Sequence, residues 1–361
     1  MKNLFLLFVF LSFSVAHIYG QYSYVYKQPQ QRNDGWSTQN LLSQNIDSTR
    51  LYQLFSQLKG GEHKIHSILL IKDNQLVVEE YFGGYDVNKT HDLRSTSKSI
   101  RALLMGIALE RGFVDDINDP ISKYLPNLNA KKNQDVRKSK ITIKHLLTMS
   151  TGLDCNDWDK RSKGQEDRVY KKNNWLQYTI DLPMIHDPGT VSTYCSMGAI
   201  LAAEVISQAS EMSIDQFAEK YLFEPLGISK VAWNHTSKKK VIDSGKRLYM
   251  TPRDMAKIGQ LILNKGNWKG RQIVSSAWIE EATTPKTKIT GIDYGYFWWN
   301  LPMQGKKGLI QSKTATGNGG QYILVFPDSN LVAVFTGGAY NLPEDKLPFT
   351  IMNKVFLPSL E

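Results

Sequence analysis

The stretch Leu93-Arg94-Ser95-Thr96-Ser97-Lys98-Ser99, continuing as Ile100-Arg101-Ala102-Leu103-Leu104-Met105-Gly106-Ile107-Ala108-Leu109-Glu110, decides how the rest of this chain is read. Ile100, Leu103, Leu104 and Ile107 recur at helical spacing and Gly112 follows the end, which predicts a helix over Ser97 to Glu110. Ser95 and Lys98 stand three apart at its start, so both side chains reach one face. A serine hydroxyl is a weak nucleophile until a neighbour removes its proton. A lysine does that only when burial or a nearby positive charge lowers its pKa. The helix N-terminus adds free N–H groups suited to a developing oxyanion. The S-x-x-K spacing also occurs at Ser56-Gln57-Leu58-Lys59 and at Ser237 to Lys240. The first lies inside a helical run stopped by Gly60-Gly61, and the second in a basic loop. Only Ser95 opens a long apolar helix, where the competing reading is a plain helix cap.

Strand signals lie on both sides of this helix. Upstream, Ser48 to Lys59 reads as a helix with Leu51, Leu54, Phe55 and Leu58 on one face. Ser67 to Ile71 and Leu76 to Phe82 then read as a hairpin turned at Asp73-Asn74. Downstream, Ile143 to Met149, Ala199 to Ser207 and Ile214 to Tyr221 read as helices among long loops, and Thr251-Pro252 opens another. Strands return at Tyr322 to Phe326 and Leu331 to Phe335, turned at Pro327-Asp328-Ser329-Asn330. The expected fold class is α/β (α+β): one antiparallel sheet fed from both termini, flanked by N- and C-terminal helices, with an inserted all-helical domain. The expected division is a signal peptide at 1–20, an extended lead-in at 21–45, a sheet domain at 46–94 plus 249–361, and a helical domain at 95–248.

Two further segments carry chemical potential. Tyr194-Cys195-Ser196 follows the turn Asp187-Pro188-Gly189; a phenol beside a lysine can shuttle a proton, and the competing reading is a half-buried tyrosine at a helix start. Gly317-Asn318-Gly319-Gly320-Gln321 leads into the last hairpin, where glycines admit a bound group and a strand edge offers an N–H. No G-x-S-x-G elbow supports a Ser-His-Asp alternative. The formal charge of +10 is spread along the chain. Its basic runs, Lys131-Lys132 to Lys140 and Lys238 to Lys240, are short and lack the focus of a nucleic-acid footprint, so no nucleic-acid partner is expected. Lys2, the apolar run Leu4 to Val15 and the small residues near Ala16 and Gly20 read as a signal peptide too short for a comfortable membrane span. The expected location is therefore periplasmic or secreted, with no membrane span after signal removal. With two cysteines, no C-x-x-C and no H-E-x-x-H, no metal site is expected.

Together these residues resemble the serine β-lactamase and penicillin-binding-protein superfamily. The likeness is strongest to its class C-like esterases, D-aminopeptidases and 6-aminohexanoate-dimer hydrolases. It runs through Leu93 to Ser99, Ile141 to Leu153 (ITIKHLLTMSTGL), Pro188-Gly189, Tyr194-Cys195-Ser196, Phe223 to Ile228, Met250 to Ala256 and Gly317 to Phe326. The resemblance implies a β-lactamase/transpeptidase-like fold with the site between its two parts and no cofactor. Ser95 would be the acylated nucleophile, Lys98 its activator and Tyr194 the proton relay. The backbone N–H groups of Ser95 and Asn318 would form the oxyanion hole, with Ser196, Gly319 and Gly320 on the substrate.

The family's K-T-G triplet is altered. Lys313-Thr314-Ala315 lacks the glycine, and Ala315-Thr316-Gly317 is the better equivalent because it keeps Thr-Gly in register with the hairpin. That departure favours an ester or amide substrate, small or peptide-like, over a β-lactam. Rival readings are a β-lactamase or D,D-peptidase on cell-wall peptides, and a non-catalytic receptor of the same fold. Trp158, Trp298 and Trp299 could line the cleft or belong to the core. Cys155 and Cys195 flank segments that the resemblance places at the cleft, and export would favour a disulfide between them.

Overall fold

The computed structural model describes residues 24–44, 46–236 and 242–360. The signal peptide expected at 1–20 and the third S-x-x-K segment, from Ser237, lie outside the described residues. After the short strand Ser37–Thr38 comes α1 (Ser48–Gly60), capped by Asp47, whose carboxylate accepts from Thr49 N–H at 2.9 Å. The hairpin β1 (Ile65–Lys72) and β2 (Gln75–Tyr81) follows. Its turn residues Asp73 and Asn74 have φ of +50° and +64°, the left-handed conformation that suits the twist of a two-residue hairpin. Then come α2 (Thr96–Glu110), α3 (Ser196–Ser210), α4 (Pro252–Leu263) and α5 (Ser276–Thr283). The sheet is completed by β3 (Trp299–Gly305), β4 (Gly308–Gly317), β5 (Gln321–Phe326) and β6 (Leu331–Gly337).

The nine-stranded sheet runs in the order Ser37–Thr38, β2, β1, β6, β5, β4, β3, Ile292–Tyr294, Thr287–Ile289. The pairing is antiparallel except where Ser37–Thr38 meets β2. Strands from both ends of the chain thus meet at β1 and β6, as the sequence pattern implies. Period-two alternation sends Leu69, Ile71, Ile323, Val325, Val332 and Val334 to one face, into a core shared with α2, α3 and α4. It sends Ile68, Leu70, Leu324, Phe326, Ala333 and Phe335 to the other, against α1 and the C-terminal helical segment with Ile351, Met352 and Phe356. Helices therefore cover both faces of the sheet.

A second, small sheet joins His91–Asp92, Arg247–Met250 and Ala232–Asn234. It delivers the chain to the start of α2, where Leu93 N–H donates to Leu248 O at 3.0 Å. The helix α5 and the strands Thr287–Ile289 and Ile292–Tyr294 carry no strong periodicity and escape sequence reading. Among the described residues no helix is long and apolar enough to cross a membrane.

Candidate active site

Ser95 sits at the N-cap of α2, but its side chain makes no capping bond. Its Oγ instead accepts from Lys98 Nζ at 2.8 Å, one helical turn away. The residue before it, Arg94, is held at φ +50°, a conformation that costs a non-glycine residue energy and is kept by its surroundings. Asp92 supplies that restraint: its carboxylate accepts from Arg94 N–H at 3.1 Å and lies 3.0 Å from the guanidinium Nε. Arg94 also lies over the ring of Tyr340, 4.7 Å from its centroid.

Lys98 is buried, with Nζ 5.0 Å from the centroid of the Tyr194 ring. The side-chain nitrogen of Lys98 thus contacts the Ser95 hydroxyl and faces the Tyr194 ring. Tyr194 precedes α3 and clusters with two tryptophans, whose own ring centroids are 6.2 Å apart. Trp158 stacks parallel to it at 4.9 Å, and Trp299 lies 6.0 Å away on a nearly parallel plane. Trp158 is 54% exposed, whereas Trp298 is wholly buried, so only the first presents a large aromatic face to solvent.

Cys155 and Cys195 are joined by a disulfide with Cα atoms 5.5 Å apart. The bridge brings the loop after Leu153 against the start of α3. There Asp157 N–H donates to Tyr194 O at 2.8 Å, and Thr193 Oγ1 donates to Cys155 O at 2.9 Å. This contact introduces an acidic pair that sequence reading missed. One Asp157 oxygen accepts from both the N–H and the Oγ of Ser196, each at 2.7 Å, and Ser196 Oγ lies 3.1 Å from Glu166. Tyr170 OH donates to Glu166 at 3.0 Å. Burial, and then the Glu166 carboxylate, push the Asp157 pKa up to about 6, against the opposing pull of Lys98 and the Ser196 hydrogen bonds. The one available signal was the disulfide itself, which places residue 157 beside residue 196.

A cavity of about 210 Å³ opens on this group. Ser95, Lys98, Ser196 and Asn318 all border it, so four of the sequence-predicted site residues share one space. Tyr194 does not border it. Gly319 and Gly320 do not border the cavity either. At φ +92° and +93° they form the turn between β4 and β5, with Gly319 O accepting from Ala339 N–H at 3.1 Å. A Cβ on Gly319 would lie 2.5 Å from the Tyr340 ring, so the glycine answers to packing. On β4, Lys313 Nζ donates to Thr283 O at 2.9 Å and to Asn300 Oδ1 at 2.8 Å, which ties it away from the cavity. Among the described residues no group of His, Cys, Asp and Glu could hold a metal ion.

The sequence profile of the family described as Beta-lactamase matches residues 54–348, most of the chain. This chain belongs to the beta-lactamase family. Curated relatives include a 6-aminohexanoate-dimer hydrolase of Paenarthrobacter ureafaciens, 21% identical over 69% of this chain and 64% of its own length. A Salmonella paratyphi A protein named "Putative D-alanyl-D-alanine carboxypeptidase" is 24% identical over 52% of this chain and 48% of its own. The beta-lactamase-family chain described here thus spans about half the length of the first curated relatives it matches. Among solved structures, a "Putative 6-aminohexanoate-dimer hydrolase" from Bacillus anthracis superimposes with a TM-score of 0.67, at 19% identity over 92% of this chain and 89% of the other. That likeness bears on the fold: a mostly antiparallel sheet with helices, of the β-lactamase/transpeptidase type.

Proposed function

We propose that this chain is a serine hydrolase that opens an ester or amide bond through an acyl-enzyme on Ser95, with Lys98 and Tyr194 as one proton-transfer unit. The observation that carries the reading is the 2.8 Å contact between Lys98 Nζ and Ser95 Oγ at the mouth of a cavity. In the first half-reaction the Ser95 oxygen bonds to the substrate carbonyl as its proton passes to the Lys98/Tyr194 pair. The resulting oxyanion is met by the backbone N–H groups of Ser95 and Asn318. Collapse of that intermediate breaks the bond to the leaving alcohol or amine, which takes the proton from the pair. In the second half, water gives up a proton to the same pair and attacks the Ser95 ester; collapse releases the acid while the pair returns the proton to the Ser95 oxygen. The lysine acts as base only as the neutral amine, or through a Tyr194 phenolate beside a charged lysine; these describe one shared proton.

The work is done outside the cytoplasm in this reading. A disulfide persists in oxidising compartments, and the N-terminal residues have the composition of a secretion signal. Ester and amide substrates are preferred to β-lactams because the sheet offers Ala315 where the K-T-G pattern has lysine, and Lys313 is held by Thr283 and Asn300. Fluorophosphonate labelling tests the reading directly. Wild-type protein should label and Ser95→Ala should not; an alanine variant that labels fully, or a folded wild type that never labels, sinks it. A screen of p-nitrophenyl esters, amides and nitrocefin then ranks the substrate classes.

A further inference from the structure

The buried Ser196 hydroxyl is one link in a row of four oxygens. Asp157 Oδ2 lies 2.7 Å to one side of Ser196 Oγ and Glu166 Oε2 3.1 Å to the other, and Tyr170 OH stands 3.0 Å from the same Glu166 oxygen. Three contacts need three hydrogens, because two facing oxygens without one set lone pair against lone pair. With both carboxylates ionised the row has only two, those of the Ser196 and Tyr170 hydroxyls. The neighbouring amides do not fill the gap: Ser196 N–H donates to Asp157 Oδ2 at 2.7 Å and Glu166 N–H to Asp157 Oδ1 at 3.1 Å.

The charges around the row act from a distance. Neither carboxylate has an ion pair among the described residues. Lys98 on α2 favours the ionised form of Asp157, while Arg247 of the small sheet and Arg101 of α2 act on the Tyr170 phenol. Two carboxylates on one hydroxyl repel each other, and a single added proton relieves both the repulsion and the missing hydrogen. Burial, then Glu166, accordingly push Asp157 up to about 6.

We propose that Asp157 and Glu166 hold one proton between them across Ser196, and that this shared proton makes them positioning residues for the Lys98/Tyr194 unit. With the proton on Glu166, its O–H donates to Ser196 Oγ and the Ser196 O–H donates to Asp157; with it on Asp157, both directions reverse. The proton belongs to the pair rather than to either residue. While it is present the row carries one negative charge and every contact is a hydrogen bond. When it leaves to water as the pH rises, the row carries two charges, and two anions compete for the Ser196 hydrogen. Asp157 N–H also donates to Tyr194 O at 2.8 Å, so slack in the row passes to the backbone that carries the Tyr194 ring. The attraction between Lys98 and ionised Asp157 is reciprocal, so the second charge resists proton release from the Lys98/Tyr194 unit.

The consequence for reactivity rests on the hydrolase reading, but the shared proton is measurable without it. Glu166→Gln supplies permanently the hydrogen that the neutral carboxyl supplies. In protein carrying carboxyl-labelled aspartate, the Asp157 carbon signal, assigned by its loss in Asp157→Asn, should titrate near pH 6 in the wild type. In Glu166→Gln it should titrate about one pH unit lower, and the rate of fluorophosphonate labelling should reach half its plateau about half a pH unit lower. A wild-type Asp157 that titrates near its usual value of about 4 overturns the shared proton, whether or not the variant folds. A signal unmoved by Glu166→Gln overturns it too, and an unmoved labelling profile overturns the positioning role. The expected titration in a protein that never labels would sustain the shared proton and sink the hydrolase. Labelling in a protein whose Asp157 titrates at its usual value would do the reverse.

Discussion

Replacing Cys155 and Cys195 together by alanine would open a loop of 40 residues. In the chain-entropy description, closing a loop of that length removes about 13 cal/mol/K from the unfolded ensemble, or about 4 kcal/mol at 25 °C. Unfolding entropy of about 2.1 cal/mol/K per residue gives a chain of 361 residues roughly 0.75 kcal/mol/K, so the melting temperature should fall by about 5 °C. Activity should respond differently. The loop stays pinned without the bridge by Asp157 N–H on Tyr194 O, Thr193 Oγ1 on Cys155 O, and both Ser196 donors on Asp157. Well below the transition, kcat should therefore stay within about threefold of wild type, less than 1 kcal/mol of barrier. Calorimetry with and without reductant reads the first quantity, and initial rates at 20–30 °C below the transition read the second. A melting temperature unchanged within about 1 °C would refute the entropic account. A collapse of kcat in a variant that still melts where predicted would show that the bridge itself holds the site.

Tyr194→Phe should lower kcat by about 10²–10⁴ and leave KM nearly unchanged, with Lys98→Ala added on top scarcely worse. Retention of more than about a tenth of the rate would make Tyr194 structural. His66 and His91, stacked on Tyr85, have pKa values pushed down to about 4, chiefly by burial. The unfolded chain binds their protons first, so their contribution is complete above pH 6.5 and is lost as pH falls towards 4. Asp157, with its pKa raised, opposes this between about pH 6 and 4. His91→Phe should therefore melt with a shallower acid-side loss than wild type, and an identical pH slope would count against the assignment. Gly106→Ala puts a Cβ 2.1 Å from the Trp278 ring, so it should destabilise by about 2 kcal/mol in urea titrations despite alanine's better helix propensity. A gain in stability would contradict the packing.

How much could be read from the chain itself depended on whether the signal was local. The apolar stripe of α2, the Asp73-Asn74 turn and the alternation of β5 and β6 all act within a few residues, and each is where the sequence places it. Ser95 and Lys98 share a helical turn, and their contact follows from spacing alone. The acidic pair does not. Asp157 and Glu166 meet Ser196 across 39 and 30 residues of irregular chain, through a disulfide and a loop without periodicity. Arg94, Arg101 and Arg247 reach one cavity from α2 and the small sheet, a convergence that composition cannot reveal. At Gly319 a glycine that admits a ligand and one that admits the Tyr340 ring look the same in sequence.

The position of Ser95 depends on a contact between helix and sheet with almost no slack. Thr96 Oγ1 donates to Gln321 O at 2.9 Å, and Ser99 Oγ donates to Phe297 O at 2.6 Å, docking the first turn of α2 on the strand ends. Between them lies Gly317, where a Cβ would come within 2.4 Å of Leu93 O and 2.9 Å of Thr96 Oγ1. Any side chain there would push β4 away from α2, and Asn318 with it. If one oxyanion donor rides on the helix and the other on the strand, such a shift spoils their convergence, and displacements near 1 Å are costly to catalysis. This explains why Thr316-Gly317 marks the register while the residue before it is free to vary. Lys313, Ala315 and Gly317 share one face of β4 by alternation, yet Ala315 is wholly buried and too short to reach a ligand. With its neighbour Lys313 committed to Thr283 and Asn300, this strand contributes backbone and no charge.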